Sequence, residues 1–378
     1  MRISTETSDE PPIVHETELP RGSRRAPEPA SRAGDYRAVR GASATDREGT
    51  IMSQDRPDGP GPRRVLLLGA TGTIGRATAR ALLARGHAVV CLVRRPSGNA
   101  PPGALERIVD LTDPASLARD GIRGERFDVL VSCLASRTGL PEDAWAIDYG
   151  ASVHALKASR AAGVTHVVLL SAICVQKPIL AFQRAKLAFE AVLVASGLDY
   201  TIVRPTAFFK SLSGQVERLK RGKPFLVFGD GTLTACKPIS DGDLGRYLAA
   251  CLDDPARRNR VLPIGGPGDA ITPLAQGERL FALLGRTPRF RHVPVALLDG
   301  IVAVLAFLGR WVPALAAKAE LARIGRYYAT ESMLVRDPAT GRYEAALTPA
   351  TGSEMLFDYY AQLLRGEAVA ERGDHAVF

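Results

Sequence analysis

Lys186 closes the segment FQRAK (182–186), four residues after Phe182. On a helix, that spacing puts an ammonium and a phenyl ring on one face. The ammonium can hold hydroxyls or hand over a proton, whereas the phenyl ring can pack but cannot donate. A second chemical segment is GATGTIG, with glycines at 69, 72 and 75 between an apolar run and a helical pattern. The spacing is GxxGxxG rather than GxGxxG, with the same physics. Glycine permits the tight turn, lets the backbone approach a pyrophosphate and allows close helix–strand packing, and the first helical amides face the anion. Gly69, Thr71, Gly72, Thr73, Ile74 and Gly75 are therefore the candidate pyrophosphate cradle. Two arginines, Arg94 and Arg95, end the next apolar run, where an NAD-preferring chain carries a carboxylate for the ribose 2′-hydroxyl. A guanidinium binds a 2′-phosphate in bidentate fashion, so the pair predicts NADPH over NADH. Asp110 is a candidate acceptor for the adenine amino group.

These residues need a scaffold, and the chain alternates strands with helices. Val65–Leu68 is a continuous apolar run, as a strand buried on both faces requires. A helix over about Ile74–Ala84 and a strand over 88–93 follow, then a short strand Arg107–Val109 and a fourth over 127–134. A long helix spans about Glu142–Ala162. Strands at 166–172 and 199–205 flank a helix over about Ile179–Ser196 that carries FQRAK. This order predicts an α/β fold, a Rossmann-type doubly wound parallel sheet with right-handed crossovers. By fold position, Leu134, Ala135 and Ser136 should pass the nicotinamide-side ribose, and Pro205 and Thr206 should approach the carboxamide. Beyond residue 206 the pattern loosens into two short strands around KPFLVFGDG and TACKPIS, then helices. Ser240 and Asp241 are capping candidates, and Pro273, Pro288, Pro294 and Pro313 mark breaks. The expected division is a disordered extension (1–62), an NADP-binding domain (63–206, its sheet completed by later strands up to about 265) and a smaller, mainly helical substrate region (207–378).

Composition narrows the function classes. The chain has 378 residues, 46% hydrophobic, which is enough to bury a large core. Five scattered cysteines without a CxxC pair argue against a zinc site or a disulfide framework and fit a reducing compartment. The formal net charge is +9, yet the basic residues are dispersed and no nucleic-acid-binding motif accompanies them. Anionic small molecules or an anionic membrane surface account for the charge equally well. The first residues lack an apolar signal core, and Met52 is an alternative start. No run reaches the ~20 apolar residues of a spanning helix. The closest, LLDGIVAVLAFLG (297–309), reads as a buried helix, with an interfacial or substrate-facing helix as the alternative.

GATGTIG, the arginine pair, Ser171, Lys186 and RPT (204–206) together resemble the atypical short-chain dehydrogenase/reductases of the NmrA-like kind. In active typical members a Ser and a Tyr hydrogen-bond a carbonyl, the Tyr donates the proton, and a Lys lowers the Tyr pKa and holds the ribose. Ser171 and Lys186 match that pattern, whereas the Tyr position is Phe182, which puts ordinary carbonyl reduction in doubt. Longer stretches are more specific. FQRAKLAFE (182–190), RPTAFFKSLSGQ (204–215), ACKPISDGDL (235–244), ARIGRYYATESMLV (322–335) and LFDYYAQLLRGEAVAERGDHAVF (356–378) resemble the divinyl chlorophyllide 8-vinyl reductases of photosynthetic bacteria. That resemblance implies NADPH-dependent reduction of a C8 vinyl group on a tetrapyrrole. A vinyl group conjugated to the macrocycle disperses the incoming charge, so no acid at a carbonyl oxygen is required. The proton comes from Lys186, from another residue or from water. Asp148, in AIDYGAS, stands where many relatives have Asn, and its role is open.

The resemblance also frames the substrate side. Phe208 and Phe209 follow the sixth strand at the carboxyl edge, where ligands bind in open α/β sheets. Lys210, or another basic residue between 218 and 223, is a candidate partner for the propionate, although most of these read as a solvated face. Tyr327 and Tyr328 either stack on the macrocycle or fill core, and LLDGIVAVLAFLG is a candidate roof. His154, His166 and His292 read as structural, and no protein metal site is expected. The implied location is cytoplasmic, with peripheral contact at the photosynthetic membrane left open. Two other readings compete: a reductase of another conjugated substrate, and a non-catalytic NADP(H)-binding sensor or assembly factor, for which loss of the Tyr is also typical.

Overall fold

The computed structural model describes residues 61–368; the expected N-terminal disorder falls on positions that, apart from 61 and 62, lie outside the described residues. Seven parallel strands form one sheet in the order β3-β2-β1-β4-β5-β6-β8. They are β1 (Arg64–Leu68), β2 (Ala88–Val93), β3 (Leu105–Ile108), β4 (Val129–Ser132), β5 (His166–Leu170), β6 (Asp199–Pro205) and β8 (Arg260–Ile264). The strand order reverses between β1 and β4, which opens the crevice where such sheets bind dinucleotides. The central strands are apolar on both faces because helices cover both. One core joins Val65, Leu67, Val131, Val168 and Val203 to Leu244 and Leu248, and another joins Leu66, Leu68, Leu130 and Val167 to Phe189 and Leu193.

Helix α1 (Thr73–Ala84) leaves the phosphate loop. Helix α2 is composite: an α-turn Pro141–Asp143, a π-helical stretch Ala144–Ala151 and a regular helix Ser152–Ala161. Helix α3 (Ala181–Val194) carries FQRAK; the Gln183 side chain accepts from the Ile179 and Leu180 amides, each at 2.9 Å, and so fixes its first turn. Helix α4 (Asp241–Ala250) begins where expected, with the Ser240 hydroxyl accepting from the Asp243 amide at 2.9 Å. It packs backbone to backbone on α1: a Cβ on Gly245 would lie 2.6 Å from the Ala77 carbonyl carbon.

The C-terminal region adds a two-stranded parallel sheet of β7 (Phe225–Phe228) and β9 (Phe290–Val293), with helices α5 (Pro273–Leu283), α6 (Val295–Leu308), α7 (Pro313–Thr330) and α8 (Leu356–Arg365). Pro273 and Pro313 stand at helix starts and Pro294 caps α6, as breaks should. Three expectations change. The third strand lies at Leu105–Ile108 rather than 107–109, because its ladder to β2 runs from Leu105 opposite Val90 to Ile108 opposite Val93. Around TACKPIS only isolated bridges form, at Cys236 and Ile239. The apolar stretch 297–309 is not a buried helix, for α6 contains no buried residue.

Candidate active site

The loop between β1 and α1 fits a pyrophosphate. Gly69 has φ +73°, and a Cβ there would come within 2.4 Å of the Cys133 carbonyl oxygen at the end of β4. A Cβ on Gly75 would come within 2.1 Å of the Gly69 carbonyl oxygen, so glycine lets α1 start directly on the loop. At Gly72, by contrast, an added Cβ would meet only the Gly69 carbonyl oxygen at 3.5 Å, leaving its backbone open to a ligand. Thr71 is exposed and Thr73 half-buried, while Ile74 is buried and anchors the helix. Lys210, one candidate partner for the propionate, donates from Nζ to the Thr73 hydroxyl at 2.7 Å. The geometry brings a cation from 137 residues away to the phosphate loop, a placement no local motif announces.

Arg94 and Arg95 are exposed just beyond β2. The Asp110 carboxyl is held below its usual range, first by the hydroxyl and amide of Thr112 and further by the Arg94 charge. Thr112 donates to Asp110 Oδ1 from both groups, at 2.9 and 2.6 Å, leaving Oδ2 for other donors. Guanidinium groups and an ionised carboxylate thus face the same edge, a fitting donor–acceptor set for a 2′-phosphorylated adenosine.

Lys186 Nζ lies 2.9 Å from Asp148 Oδ1, and Asp148 is fully buried. The same oxygen accepts from the Ser136 amide at 3.3 Å, tying the loop after β4 to the π-helical stretch of α2. Such stretches recur at functional sites. Asp148 Oδ2 has no protein partner. Asp148, Ser152, Ser171 and Lys186 line one void of about 10 Å³ together with Leu134, Leu169, Leu170 and Phe189. Ser171 is thus brought beside Lys186, but its hydroxyl donates to Glu190, which also pairs with Arg204. Sequence reasoning assigned no role to Glu190 or Arg204 and left that of Asp148 open. A larger hollow of about 330 Å³, lined by Arg80, Leu83 and residues 99–102, contains none of these groups.

Phe182 packs between Ala181 and Ala185 of its own helix, Ala144 and Tyr149 of α2, and Leu180, Cys174, Ile324 and Tyr327. Tyr327, the tyrosine buried in that cluster, does not take over as acid. Tyr327 is buried, donates to the Cys174 carbonyl at 3.0 Å, and has its pKa driven up by burial. The Cys133 thiol beside the phosphate loop is pushed up to about 12 by burial, so it offers no thiolate.

The other substrate-side expectations divide. Phe208 is half-buried and caps a short helix, whereas Phe209 is 5% exposed, packed on Tyr359 at 5.7 Å in a C-terminal core. Phe209 and Tyr327 are therefore core, and Tyr328, 38% exposed, keeps part of its surface open while burial drives its hydroxyl pKa up. Pro205 ends β6, and Thr206 spends its amide on the Ile264 carbonyl at 2.9 Å and its hydroxyl on the Lys237 carbonyl. Ala135 is exposed at the crevice.

With this geometry in hand, comparison with known proteins is informative. A family model described as NAD(P)H-binding matches residues 69–255. Divinyl chlorophyllide a 8-vinyl-reductase from Oryza sativa subsp. indica is 49% identical over 84% of this chain and 83% of its own. The Zea mays protein of the same name is 46% identical over 93% of this chain and 87% of its own. Among solved structures, an Escherichia coli NADPH-dependent quinone oxidoreductase complexed with NADPH superposes with a TM-score of 0.58 at 18% identity, over 79% of this chain and 99% of its own. That likeness speaks for the fold alone.

Proposed function

This chain belongs to the divinyl chlorophyllide a 8-vinyl-reductase family, and we propose that Lys186, Asp148 and Phe182 carry the reduction that gives the family its name. The enzyme is an NADPH-dependent oxidoreductase that converts the C8 vinyl group of divinyl chlorophyllide a, or of its protochlorophyllide counterpart, to ethyl. NADPH supplies the hydride. The residues suited to hold it are the glycine loop with Thr71 and Thr73, Lys210 at the same helix start, and Arg94 and Arg95 for the 2′-phosphate. Asp110 would take the adenine amino group, and residues 134–136 with Pro205 and Thr206 would border the nicotinamide half.

Lys186 would hold the ribose hydroxyls, with Asp148 fixing its ammonium at 2.9 Å. Phe182, one helical turn earlier, would form the apolar wall against the reacting vinyl group. Because the charge arriving on a conjugated vinyl group disperses into the macrocycle, a wall without a hydroxyl suffices. The remaining proton would reach the carbon from the Lys186 ammonium or from water in the adjoining void. The observation that carries this reading is 49% identity over 84% of the chain. This reading takes the enzyme to be cytoplasmic and in peripheral contact with the photosynthetic membrane, where its poorly water-soluble pigment resides. Among the described residues, no helix is long and apolar enough to cross a membrane.

The test is spectroscopic. Mixing the protein with NADPH and divinyl chlorophyllide should blue-shift the Soret band as conjugation is lost. An unchanged spectrum with NADPH tightly bound would identify a non-catalytic binding protein instead.

A further inference from the structure

Helix α6 turns an apolar stripe to solvent. Along the helix Leu297, Ile301, Val304 and Leu308 recur at intervals of four and three residues and are 54%, 41%, 58% and 41% exposed, and Trp311, 66% exposed, follows in the turn after it. That spacing is one continuous face of a helix. Phe307, 55% exposed, stacks edge-on with Trp311 at 4.9 Å at the end of the stripe. Seven of the nineteen large exposed hydrophobic residues among the described ones fall within 297–312, so the patch is concentrated rather than scattered. A Cβ on Gly300 would meet nothing within 4 Å, which confirms the openness of this part of the helix.

The charge around the stripe identifies what covers it. Between residues 286 and 326 there are seven Lys and Arg against two acids, Asp299 and Glu320; Arg286 and Arg289 donate to the Leu219 and Gly222 carbonyls, and Arg291, Arg310 and Lys318 are exposed. Both acids are already matched, by Arg326 and Arg323. A second copy of the chain laid face to face would bring like charges together. An anionic lipid surface complements them, and each basic residue near such a surface strengthens binding about fivefold. Aromatic residues at the tip suit the headgroup boundary, and a 14-residue helix lies in that boundary rather than crossing it.

We propose that the α6–α7 hairpin docks this protein onto anionic membranes, with the Leu297–Trp311 stripe lying in the lipid interface. The hairpin is rooted beside the candidate active site: Ile324 and Tyr327 of α7 pack in the cluster that includes Phe182. Docking would therefore set the mouth of the site at the lipid surface. The docking surface stands on its own observations; only the corollary, that pigment enters from the bilayer, rests on the proposed function.

Flotation of the full chain with vesicles tests it. Phosphatidylcholine vesicles containing phosphatidylglycerol should carry the protein upward, added salt should weaken the capture, and pure phosphatidylcholine should capture far less. In a Trp145→Phe background, emission from Trp311, the other of the two tryptophans, should shift to the blue on binding. Ile301→Asp with Val304→Asp should reduce capture by at least ~10-fold per residue while NADPH binding persists. Arg291→Glu with Lys318→Glu should lose the anionic-lipid preference without touching the apolar stripe. The proposal is overturned if neither vesicle captures the wild type, or if these variants float as it does. A dimer in solution that Val304→Asp splits would make the stripe a contact between copies. Loss of reduction in detergent with flotation intact would make it a substrate roof. Both of these outcomes also overturn the proposal. Because flotation needs no turnover, failure of the vinyl reductase reading leaves this test intact.

Discussion

Replacing Asp148 by Asn isolates what the buried carboxylate does for Lys186. The exchange keeps the shape and leaves an oxygen to accept from the Ser136 amide, but removes the charge 2.9 Å from the ammonium. Two unit charges at that distance attract by about 6 kcal/mol at an effective dielectric of about 20. Desolvation consumes much of this, yet removing one member of a buried pair typically costs about 3–5 kcal/mol. Lys186 keeps 13% exposure against none for Asp148, so water can partly replace the lost partner. We therefore expect the lower end, about 3 kcal/mol, which lowers Tm by roughly 6 °C. Catalysis adds a separate signature. An ammonium no longer anchored spends less time where the ribose hydroxyls must be held, and a positional loss of about 1.4–2.8 kcal/mol is a 10- to 100-fold fall in kcat. Soret-band kinetics at saturating NADPH, run well below the variant's Tm, separate the two effects. A purely structural Asp148 would give a lower Tm with unchanged kcat. Lys186→Ala should fall at least as far in kcat, with Lys186→Arg recovering part of it. Full-rate reduction by both Asp148→Asn and Lys186→Ala would refute the assignment.

Four further outcomes follow from the same geometry. Phe182→Tyr should slow reduction and gain no carbonyl reductase activity, because its apolar surroundings leave a new hydroxyl unpaired at about 1–3 kcal/mol; thermal melts and initial rates check this. Arg94→Ala with Arg95→Ala should weaken NADPH ~10- to 100-fold while leaving NADH nearly unchanged, as read by calorimetric titration. Lys210→Ala should weaken both dinucleotides several-fold if its Nζ serves the pyrophosphate beside Thr73, and the same titration checks it. Burial lowers the His166 pKa from 6.5 to about 4. The fold thus holds the neutral ring, so its contribution is present above pH 6.5 and is lost as pH falls through 4, roughly 3 kcal/mol in all. Urea unfolding between pH 7 and 4 should show that slope in the wild type and a shallower one in His166→Gln.

The parallel sheet was legible because its strands are short apolar runs bounded by turn residues, and the glycine loop because its logic is local. Ala88–Val93 could be read to the residue. What lay hidden depends on partners distant in sequence. Lys210 meets Thr73 across 137 positions, and Ser171 meets Glu190 on a helix, which in turn pairs with Arg204 on another strand. Phe209 looked like a ligand-facing aromatic because it follows the sixth strand; a C-terminal segment carrying Tyr359 covers it instead. The stretch 297–309 misled for a different reason. A run that is apolar nearly all round carries no amphipathic pattern, so composition alone cannot say whether protein or something else lies against it.

The contrast between Phe182 and Lys186 explains why this site can work with its acid missing. Both residues project from the same face of α3, one turn apart, into different surroundings. The phenyl ring is walled by Leu180, Cys174, Ile324 and Tyr327, and the Tyr327 hydroxyl is turned away onto a carbonyl. The ammonium is matched by a buried carboxylate and borders a small void lined by two serines together with Leu134, Leu169, Leu170 and Phe189. The two surroundings, one turn apart, thus differ in the buried carboxylate and the hydroxyls that only the ammonium meets. A substrate that gathers charge on one oxygen would need a donor at position 182, where this chain has a phenyl ring. A substrate that spreads its charge through a ring system needs contact there, with cation and water only at the edge. On the proposed assignment, the pairing of an apolar wall with an anchored ammonium would select for conjugated alkenes over carbonyls. A carbonyl of similar size and shape should bind as an inhibitor and not turn over; measurable reduction of such a ketone would overturn this account of selectivity.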